Sequence, residues 1–215
     1  MPLVLVDLLS YTGTKGGMET YSRELYRELG RMAEGYEFVG FASKELMTMD
    51  KSWFPGRIID SYITGENRFI WAWGELFAVT RAADRAGADL IHSPATLGPM
   101  RSTVPTVVTM HDMLYFSHPQ YMSTGLYTKP VRWMEKRAAA NATRILTIST
   151  QSAEDIQKYL HVPAQPDRYR ASRGHSCYQA HQARRFQRRS DDPGNGQPAS
   201  TQKLGQTRAR ARPCG

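Results

Sequence analysis

Cysteine is nearly absent from this sequence, and long apolar runs are absent altogether. Of 215 residues only two are cysteines, Cys177 and Cys214, and both lie beyond residue 163. Residues 1–163 therefore hold neither a disulfide nor a thiol site. No stretch of 18 apolar residues predicts a membrane span, and no basic start followed by an apolar run predicts a signal peptide. We accordingly expect a cytoplasmic protein.

The last quarter of the chain lacks the residues that build a core. Residues 164–215 contain no Ile, Val, Met or Trp and a single leucine, Leu204. They carry 11 Lys and Arg against three Asp, so the whole net charge of +8 lies there, whereas residues 1–163 are neutral with 17 of each sign. Such a segment cannot bury enough apolar surface to offset the entropy lost on ordering. We predict a folded domain over 1–163 and a disordered basic tail over 164–215.

Residues 1–163 alternate between short apolar runs and amphipathic segments, without an internal repeat. The runs predict strands at 3–9, 36–41, 57–63, 89–92, 106–110 and 144–148, and the amphipathic segments predict helices at 18–32, 68–86, 129–141 and 152–160. Continuous apolar strands are typical of sheets covered by helices on both faces. The fold class is therefore α/β, with a Rossmann-like, mostly parallel sheet in a single domain.

Three of these helices have features that the structure can check. In the helix over 68–86, the residues expected on the buried side are Phe69, Trp73, Leu76, Phe77 and Ala83. In the helix over 129–141, Pro130 is expected in the first turn, where its missing N–H costs nothing. Ser152 and Asp155 resemble a capping box at the start of the last helix.

A glycine loop joins the first strand to the first helix. Gly13, Gly16 and Gly17 precede a helix that carries Glu19 in its first turn. Free backbone N–H groups at the positive end of a helix suit a phosphate or a ring of hydroxyls. The alternative is that these glycines serve strand-to-helix packing alone. Neither G-x-x-x-x-G-K-[ST] nor G-x-G-x-x-G is present, so the sequence does not indicate a nucleotide-triphosphate or a nicotinamide site.

Polar residues follow several predicted strands at the point where each strand ends. These positions are Thr12 to Gly17, Ser43-Lys44, His92-Ser93-Pro94, His111-Asp112 and Ser149-Thr150. The carboxyl ends of parallel strands meet at one edge of the sheet, where ligands bind in this class of fold. The sequence therefore predicts a cleft at this edge.

Each candidate in this cleft has a structural alternative. His111 can exchange a proton near neutral pH, or it can be a structural histidine bonded to a loop carbonyl. His92 is a weaker candidate, because a buried histidine often only satisfies backbone groups. Glu19 complements the helix dipole, and Ser149 and Thr150 can simply begin the last helix.

Metal binding and membrane contact are the two remaining possibilities in this part of the chain. The spacings of His92, His111 and His118 match no zinc pattern, so we expect no metal site. The segment 115–144 mixes aromatic and basic residues with Glu135 as its only acid. It can rest on an anionic membrane surface, or it can be a solvated helix face with anchors in the core.

Four motifs in order resemble one enzyme family. They are G-G-M-E at 16–19, D-L-I-H-S-P at 89–94, V-V-T-M-H-D at 107–112 and R-I-L-T-I-S-T-Q-S-A-E-D-I at 144–156. Together they resemble the N-terminal half of a family 4 (group 1) glycosyltransferase of the GT-B fold, over residues 1–163.

The resemblance implies a retaining transferase that uses a nucleotide-sugar donor and no catalytic metal or other cofactor. It implies that this domain holds the acceptor, a growing polysaccharide or a lipid-linked sugar. Gly16 and Gly17 match the loop near the donor phosphates and the acceptor, and His111 matches the histidine over the reacting sugar. Ser149 and Thr150 match a turn that faces the cleft.

The tail departs from the family pattern. Family members carry a second domain with an E-x7-E motif, whereas the last glutamate here is Glu154. The tail indicates a frameshifted or foreign end, or else a natural disordered basic tail. We expect a truncated glycosyltransferase with little activity on its own. Two other functions stay open: nucleic-acid binding through the Arg-rich tail, for which no known nucleic-acid fold appears, and a Rossmann oxidoreductase.

Overall fold

The computed structural model describes residues 1–121, 125–162 and 169–171, and these residues alternate between strands and helices. The strands are β1 (Leu3–Leu8), β2 (Glu37–Ala42), β3 (Arg57–Asp60), β4 (Leu90–Ser93), β5 (Thr106–Met110), β6 (Arg144–Thr147) and β7 (Tyr169–Ala171). The α-helices are α1 (Gly17–Met32), α2 (Arg68–Trp73), α3 (Val79–Ala86), α4 (Leu114–Ser117), α5 (Gly125–Asn141) and α6 (Thr150–Leu160). A π-helical turn (Gly74–Ala78) joins α2 to α3, and 3₁₀ turns occupy Leu46–Thr48 and Pro119–Tyr121.

The seven strands within the described residues form one parallel sheet in the order β3-β2-β1-β4-β5-β6-β7. Every pairing between neighbours is parallel, and β1 is an interior strand, the third of the seven, in which Val6 pairs with Gly40 of β2 and His92 of β4. Parallel strands need crossover connections, and the helices provide them. The predicted α/β class with a Rossmann-like sheet is confirmed.

Helices cover both faces of the sheet because the side chains of each strand alternate. From β1, Val4, Val6 and Leu8 pack on one face with Tyr26 of α1. Leu5 and Leu9 point to the other face, where they meet Val79 and Ala83 of α3. Towards the β7 end of the strand order, β5 and β6 pack against α5 and α6 in a third cluster. The strands are therefore buried on both faces, which explains their continuous apolar runs.

The predicted buried side of the helix over 68–86 is wrong for its three aromatic residues. Phe69, Trp73 and Phe77 are 79%, 52% and 43% exposed, whereas Ala83 is buried as predicted. The π-helical turn between α2 and α3 is the reason, because the extra residue of such a turn rotates the helix face by about 100°. Leu76 lies half-buried within this turn.

Two predicted helix starts also differ from the structure. Helix α5 begins at Gly125 rather than at Lys129, so Pro130 lies beyond the first turn. Helix α6 begins at Thr150, and its N-cap is Ser149, whose side chain accepts a hydrogen bond from the backbone N–H of Ser152. The capping box predicted at Ser152 is therefore wrong by one turn. None of the helices within the described residues is long and apolar enough to span a membrane.

The seventh strand comes from the segment predicted to be a disordered tail. Tyr169–Ala171 pairs in parallel with β6, with Tyr169 opposite Ile145. The prediction of disorder is therefore wrong for these three residues. The rest of the predicted tail, including both cysteines, lies outside the described residues, as does the proposed nucleic-acid contact.

Candidate functional site

A cleft of about 310 Å³ lies at the carboxyl edge of the sheet. Its walls come from the loops that follow β1, β4 and β5, together with α2 and α5. The polar and aromatic side chains that line it are Ser10, Lys15, Arg68, Trp71, Thr96, Asp112, Tyr115 and Glu135. Among the predicted site residues, only Asp112 lines this cleft, and the glycine loop contributes through Lys15 and Met18.

The glycine loop is held in place by Glu19. The buried carboxylate of Glu19 accepts hydrogen bonds from the backbone N–H groups of Thr12 and Gly13, at 2.7 and 2.8 Å. Gly16 is the N-cap of α1 with a φ of 59°, which favours glycine. A Cβ added at Gly16 or Gly17 would meet nothing within 4 Å. These two glycines therefore face open space, and packing does not require them.

His111 is buried at the end of β5 and is anchored on several sides. Its ring Nε2–H donates to the carbonyl of Pro94 at 2.7 Å, and its own carbonyl accepts from Ser152 Oγ at 2.8 Å. The edge of its ring meets Tyr21 with the ring centroids 5.0 Å apart. The structural alternative, a histidine bonded to a loop carbonyl, is thus present. The catalytic role of His111 stays a prediction.

The segment that His111 holds contains an unusual backbone conformation. Thr96 has a φ of 70°, a region that β-branched residues rarely adopt. Its backbone N–H donates to the carbonyl of Thr109 at 2.8 Å. Strained residues of this kind cluster at ligand sites, and Thr96 lines the cleft. The hydrogen bond from His111 to the Pro94 carbonyl therefore stabilises this wall of the cleft.

His92 is part of a buried polar chain and does not line the cleft. Its Nδ1 is hydrogen-bonded to the hydroxyl of Tyr26, and its Nε2 to the hydroxyl of Thr109 at 2.9 Å. Burial, with a smaller contribution from His111, lowers the pKa of His92 to about 4. The ring is therefore neutral at pH 7, with one nitrogen donating and the other accepting. The ring is therefore satisfied by two side-chain hydroxyls and not by the backbone groups named in the structural alternative, and a catalytic role for His92 stays a prediction.

The remaining predicted residues cap helices near the same edge. Asp112 is exposed, and its carboxylate accepts from the backbone N–H of Leu114 at 3.0 Å, which supports the start of α4. Ser149 caps α6 and Thr150 is the first residue of that helix. Their alternative role, beginning the last helix, is the one observed. Within the described residues no group of three or more His, Cys, Asp or Glu side chains gathers as a metal site.

Comparison with known proteins identifies the family of this chain. The sequence model described as Glycosyltransferase Family 4 matches residues 15–169. The chain belongs to this family. The resemblance inferred from the motifs is confirmed, and family membership favours a glycosyltransferase over the oxidoreductase alternative. No curated protein matches the sequence significantly.

One solved structure similar to this family 4 chain is described as the lipopolysaccharide outer core galactosyltransferase WaaB in its apo form. The TM-score is 0.49 and the sequence identity 13%, and the match covers 80% of the present chain. It covers 45% of WaaB, so the family 4 chain spans less than half the length of that protein.

Two buried acids of the glycosyltransferase domain were not predicted from the sequence. The carboxyl groups of Asp7 on β1 and Glu75 in the π-helical turn are both buried and lie close enough to affect each other's pKa. Glu75 Oε2 has no hydrogen-bond partner among the described residues, and burial raises the pKa of Asp7 as well. Burial, and then the Asp7 carboxylate, raise the pKa of Glu75 well above its ordinary value. Trp71 Nε1–H donates to Glu75 at 2.8 Å, so the pair fixes one wall of the cleft.

A third unpredicted acid, Glu135, lines the cleft itself. Burial raises its pKa to about 8; Asp112 adds to this effect, and Arg132 opposes it. The sequence carried a signal for this position, because Glu135 falls on the apolar face of α5. The other buried residues of that face follow helical spacing: Val131, Met134, Ala138, Ala139 and Ala142.

Proposed function

We propose that this chain supplies the acceptor-binding side of a retaining glycosyltransferase that transfers a sugar from a nucleotide sugar to a saccharide or lipid-linked acceptor. The observation that carries the proposal is the family 4 match over residues 15–169. The cleft at the carboxyl edge of the sheet supports it, because ligands of such sheets bind there. The open glycine loop beside the cleft supports it further.

We also propose that the chain alone is a poor catalyst. Residues 164–215 contain no glutamate, so these residues hold no E-x7-E motif. Positioning two substrates against each other supplies several kcal/mol of catalysis, on the order of 7–11 in favourable cases. With UDP-glucose or GDP-mannose and a panel of acceptors, we expect nucleotide release far slower than that of a two-domain family member. Comparable turnover would contradict this proposal.

Ligand binding gives a test that does not need activity. Saccharide acceptors should protect the chain against thermal unfolding, by about 2.7 kcal/mol at 100 times the dissociation constant. A nicotinamide cofactor should give no protection, and protection by it alone would favour an oxidoreductase.

Gly17→Ala is the matched probe of the glycine loop. The added methyl group meets nothing within 4 Å, so the fold should be unchanged. A ligand that approaches the loop closely should lose at least tenfold in affinity. Glu34→Ala, an exposed change near the opposite edge of the sheet, should leave binding unchanged. If saccharide acceptors protect Gly17→Ala against thermal unfolding as well as they protect the natural chain, the glycine loop does not contact the ligand.

Peripheral contact with an anionic membrane is a separate part of the proposal. Trp133 is 49% exposed on α5, and the exposed cations Lys129, Lys136 and Arg137 share its face at helical spacing. An aromatic residue among cations suits the interface of an anionic bilayer. We name this surface the α5 basic face.

Vesicle sedimentation tests the α5 basic face. The double variant Trp133→Ser/Lys136→Ser should bind phosphatidylglycerol vesicles about tenfold more weakly than the natural chain, since each cation near the surface is worth about 1 kcal/mol. Met32→Ser, which removes an exposed residue at the far end of α1, is the control. If Trp73→Ser/Phe77→Ser abolishes binding instead, the contact belongs to α2 and the π-helical turn.

A further inference from the structure

Glu135 leaves an unsatisfied polar atom beside the cleft. The side chain is 3% exposed, and its Oε2 is buried with no hydrogen-bond partner among the described residues. An unsatisfied buried polar atom costs about 1–3 kcal/mol. Glu135 also lines the cleft, so a ligand there is the nearest group that can provide the missing partner.

Two cations from other elements line the same cleft. Lys15 comes from the glycine loop and Arg68 from α2. Lys15 Nζ lies 5.5 Å from the centroid of the Trp71 ring, and Trp71 is itself fixed by its hydrogen bond to Glu75. The lysine is therefore placed by the cleft wall and does not extend freely into solvent.

The charge state of Glu135 decides which ligand the cleft suits. The charged groups that act on its pKa are Asp112, which lines the cleft, and Arg132 on its own helix. The other ionisable residues that line the cleft are Lys15, Arg68 and Tyr115. Because burial raises the pKa of Glu135 to about 8, the side chain is a neutral acid at pH 7 and its O–H donates. Burial also raises the pKa of Tyr115, so this phenol stays neutral. At pH 7 the cleft then offers three hydrogen-bond donors, the ammonium of Lys15, the guanidinium of Arg68 and the carboxylic acid of Glu135. The Asp112 carboxylate lines the same cleft, and its Oδ1 accepts from the backbone N–H of Leu114.

We propose that this cleft binds a tetrahedral anionic group, a phosphate or sulfate carried by the saccharide acceptor, with Lys15 and Arg68 on its oxygens and Glu135 donating the third hydrogen bond. The assignment of the anion to the acceptor rests on the proposed function, whereas the anion site itself does not. The same chemistry would accept the diphosphate of a nucleotide donor, so the two sources need separate tests.

Sulfate is the probe for the site because its charge does not change between pH 6 and 9. The signal is the indole N–H resonance of Trp71 in a ¹⁵N-labelled full-length chain, assigned with Trp71→Phe. We expect a saturable shift on titration with sulfate at pH 7 and none with chloride at equal ionic strength. The apparent affinity of the natural chain should fall about tenfold from pH 7 to pH 9, as Glu135 ionises and stops donating.

Two variants and one control separate the contributions of Glu135 and Lys15 to the affinity for sulfate. Glu135→Gln donates from its amide at every pH, so its affinity should change less than twofold between pH 7 and 9. Lys15→Gln should weaken binding about tenfold at both pH values. Glu154→Gln, at an exposed position on α6, should behave as the natural chain. An absent shift at pH 7, or an equal pH dependence in Glu135→Gln, would overturn the site.

Competition identifies the source of the anion. Glucose 6-phosphate should displace sulfate at lower concentration than UDP does, and glucose should not displace it. Stronger displacement by UDP would overturn the assignment to the acceptor. If sulfate binds saturably but no saccharide protects the chain against thermal unfolding, the proposed function is refuted. The anion site itself would still stand.

Discussion

Glu75→Gln is expected to weaken the pH dependence of the free energy of unfolding, because a buried acid no longer titrates. The variant is also expected to be more stable than the natural chain above neutral pH. The natural side chain is buried, and its pKa is raised first by burial and then by the Asp7 carboxylate. The amide of the variant keeps an oxygen that accepts from Trp71 Nε1–H, and its NH₂ group can donate to Asp7 without a titrating proton. The hydrogen bond from Trp71 therefore survives while the ionisation of Glu75 is removed.

The direction of the pH effect follows from which state holds the proton. Above about pH 4.3 an unfolded glutamate releases its proton, whereas the folded protein keeps the one on Glu75. The folded state then binds more protons than the unfolded state, so stability falls as pH rises, by up to about 1.4 kcal/mol per pH unit. Over the pH range in which Glu75 is protonated in the folded chain and ionised in the unfolded chain, the natural chain should therefore lose more stability than Glu75→Gln as pH rises.

Urea unfolding followed by circular dichroism at several pH values measures this difference. The exposed change Glu66→Gln is the control and should keep the pH dependence of the natural chain. Glu135 also holds a proton at neutral pH, so the double variant with Glu135→Gln should be flatter still. Parallel curves for Glu75→Gln and the natural chain would show that Glu75 holds no proton in the folded chain that it releases on unfolding.

Gly56→Ala is expected to destabilise the fold by about 3 kcal/mol, which lowers the melting temperature by about 10 °C. A Cβ at this position would lie 1.9 Å from the carbonyl oxygen of Phe38. That oxygen belongs to the backbone of β2, so no side chain can rotate to relieve the clash. Strands β2 and β3 would have to separate where their pairing begins, near Val39 and Arg57.

Calorimetry of Gly56→Ala beside Gly17→Ala measures this effect with a matched control. The same methyl group at Gly17 meets nothing within 4 Å, so that variant should melt within about 1–2 °C of the natural chain. Equal melting temperatures for the two variants would mean that β3 adjusts to the methyl group without cost.

The strands of this fold were predictable because buried parallel strands are continuous apolar runs. Leu3 to Leu8 and Thr106 to Met110 need no tertiary information, and their structural bounds agree with the sequence within one residue. Strand β7 was not predictable in the same way. Tyr169-Arg170-Ala171 contains no β-branched residue and gains its strand conformation only from pairing with β6.

The helix over 68–86 shows why periodicity fails across an irregular turn. A pattern of 3.6 residues assigns Trp73 and Ala83 to one face only if the helix stays regular between them. The π-helical turn at Gly74 breaks this relation, so the aromatic residues are exposed and Glu75 is buried. A Cβ at Gly74 would lie 2.9 Å from Ile63, which indicates that close packing of this turn depends on the glycine.

The sequence predicted a cleft at the carboxyl edge of the sheet, because parallel topology alone brings the loops after the strands together. The structure has a cleft at this edge, and of the predicted site residues Asp112 lines it; the functional roles of these residues stay predictions. Acids inside apolar patterns, Asp7 in β1 and Glu135 in α5, were missed because the search for site residues followed strand ends. Glu75, which acts on the pKa of Asp7, is distant from it in sequence, so only the fold brings these two acids together.

The interior position of β1 has a consequence for synthesis on the ribosome. β1 is made first, yet its second edge is covered only when β4 pairs with it, and β4 ends at Ser93. Until then an apolar strand with an open edge is exposed to other nascent chains, a condition that favours aggregation. About 90 residues must leave the exit tunnel before β1 is paired along both of its edges.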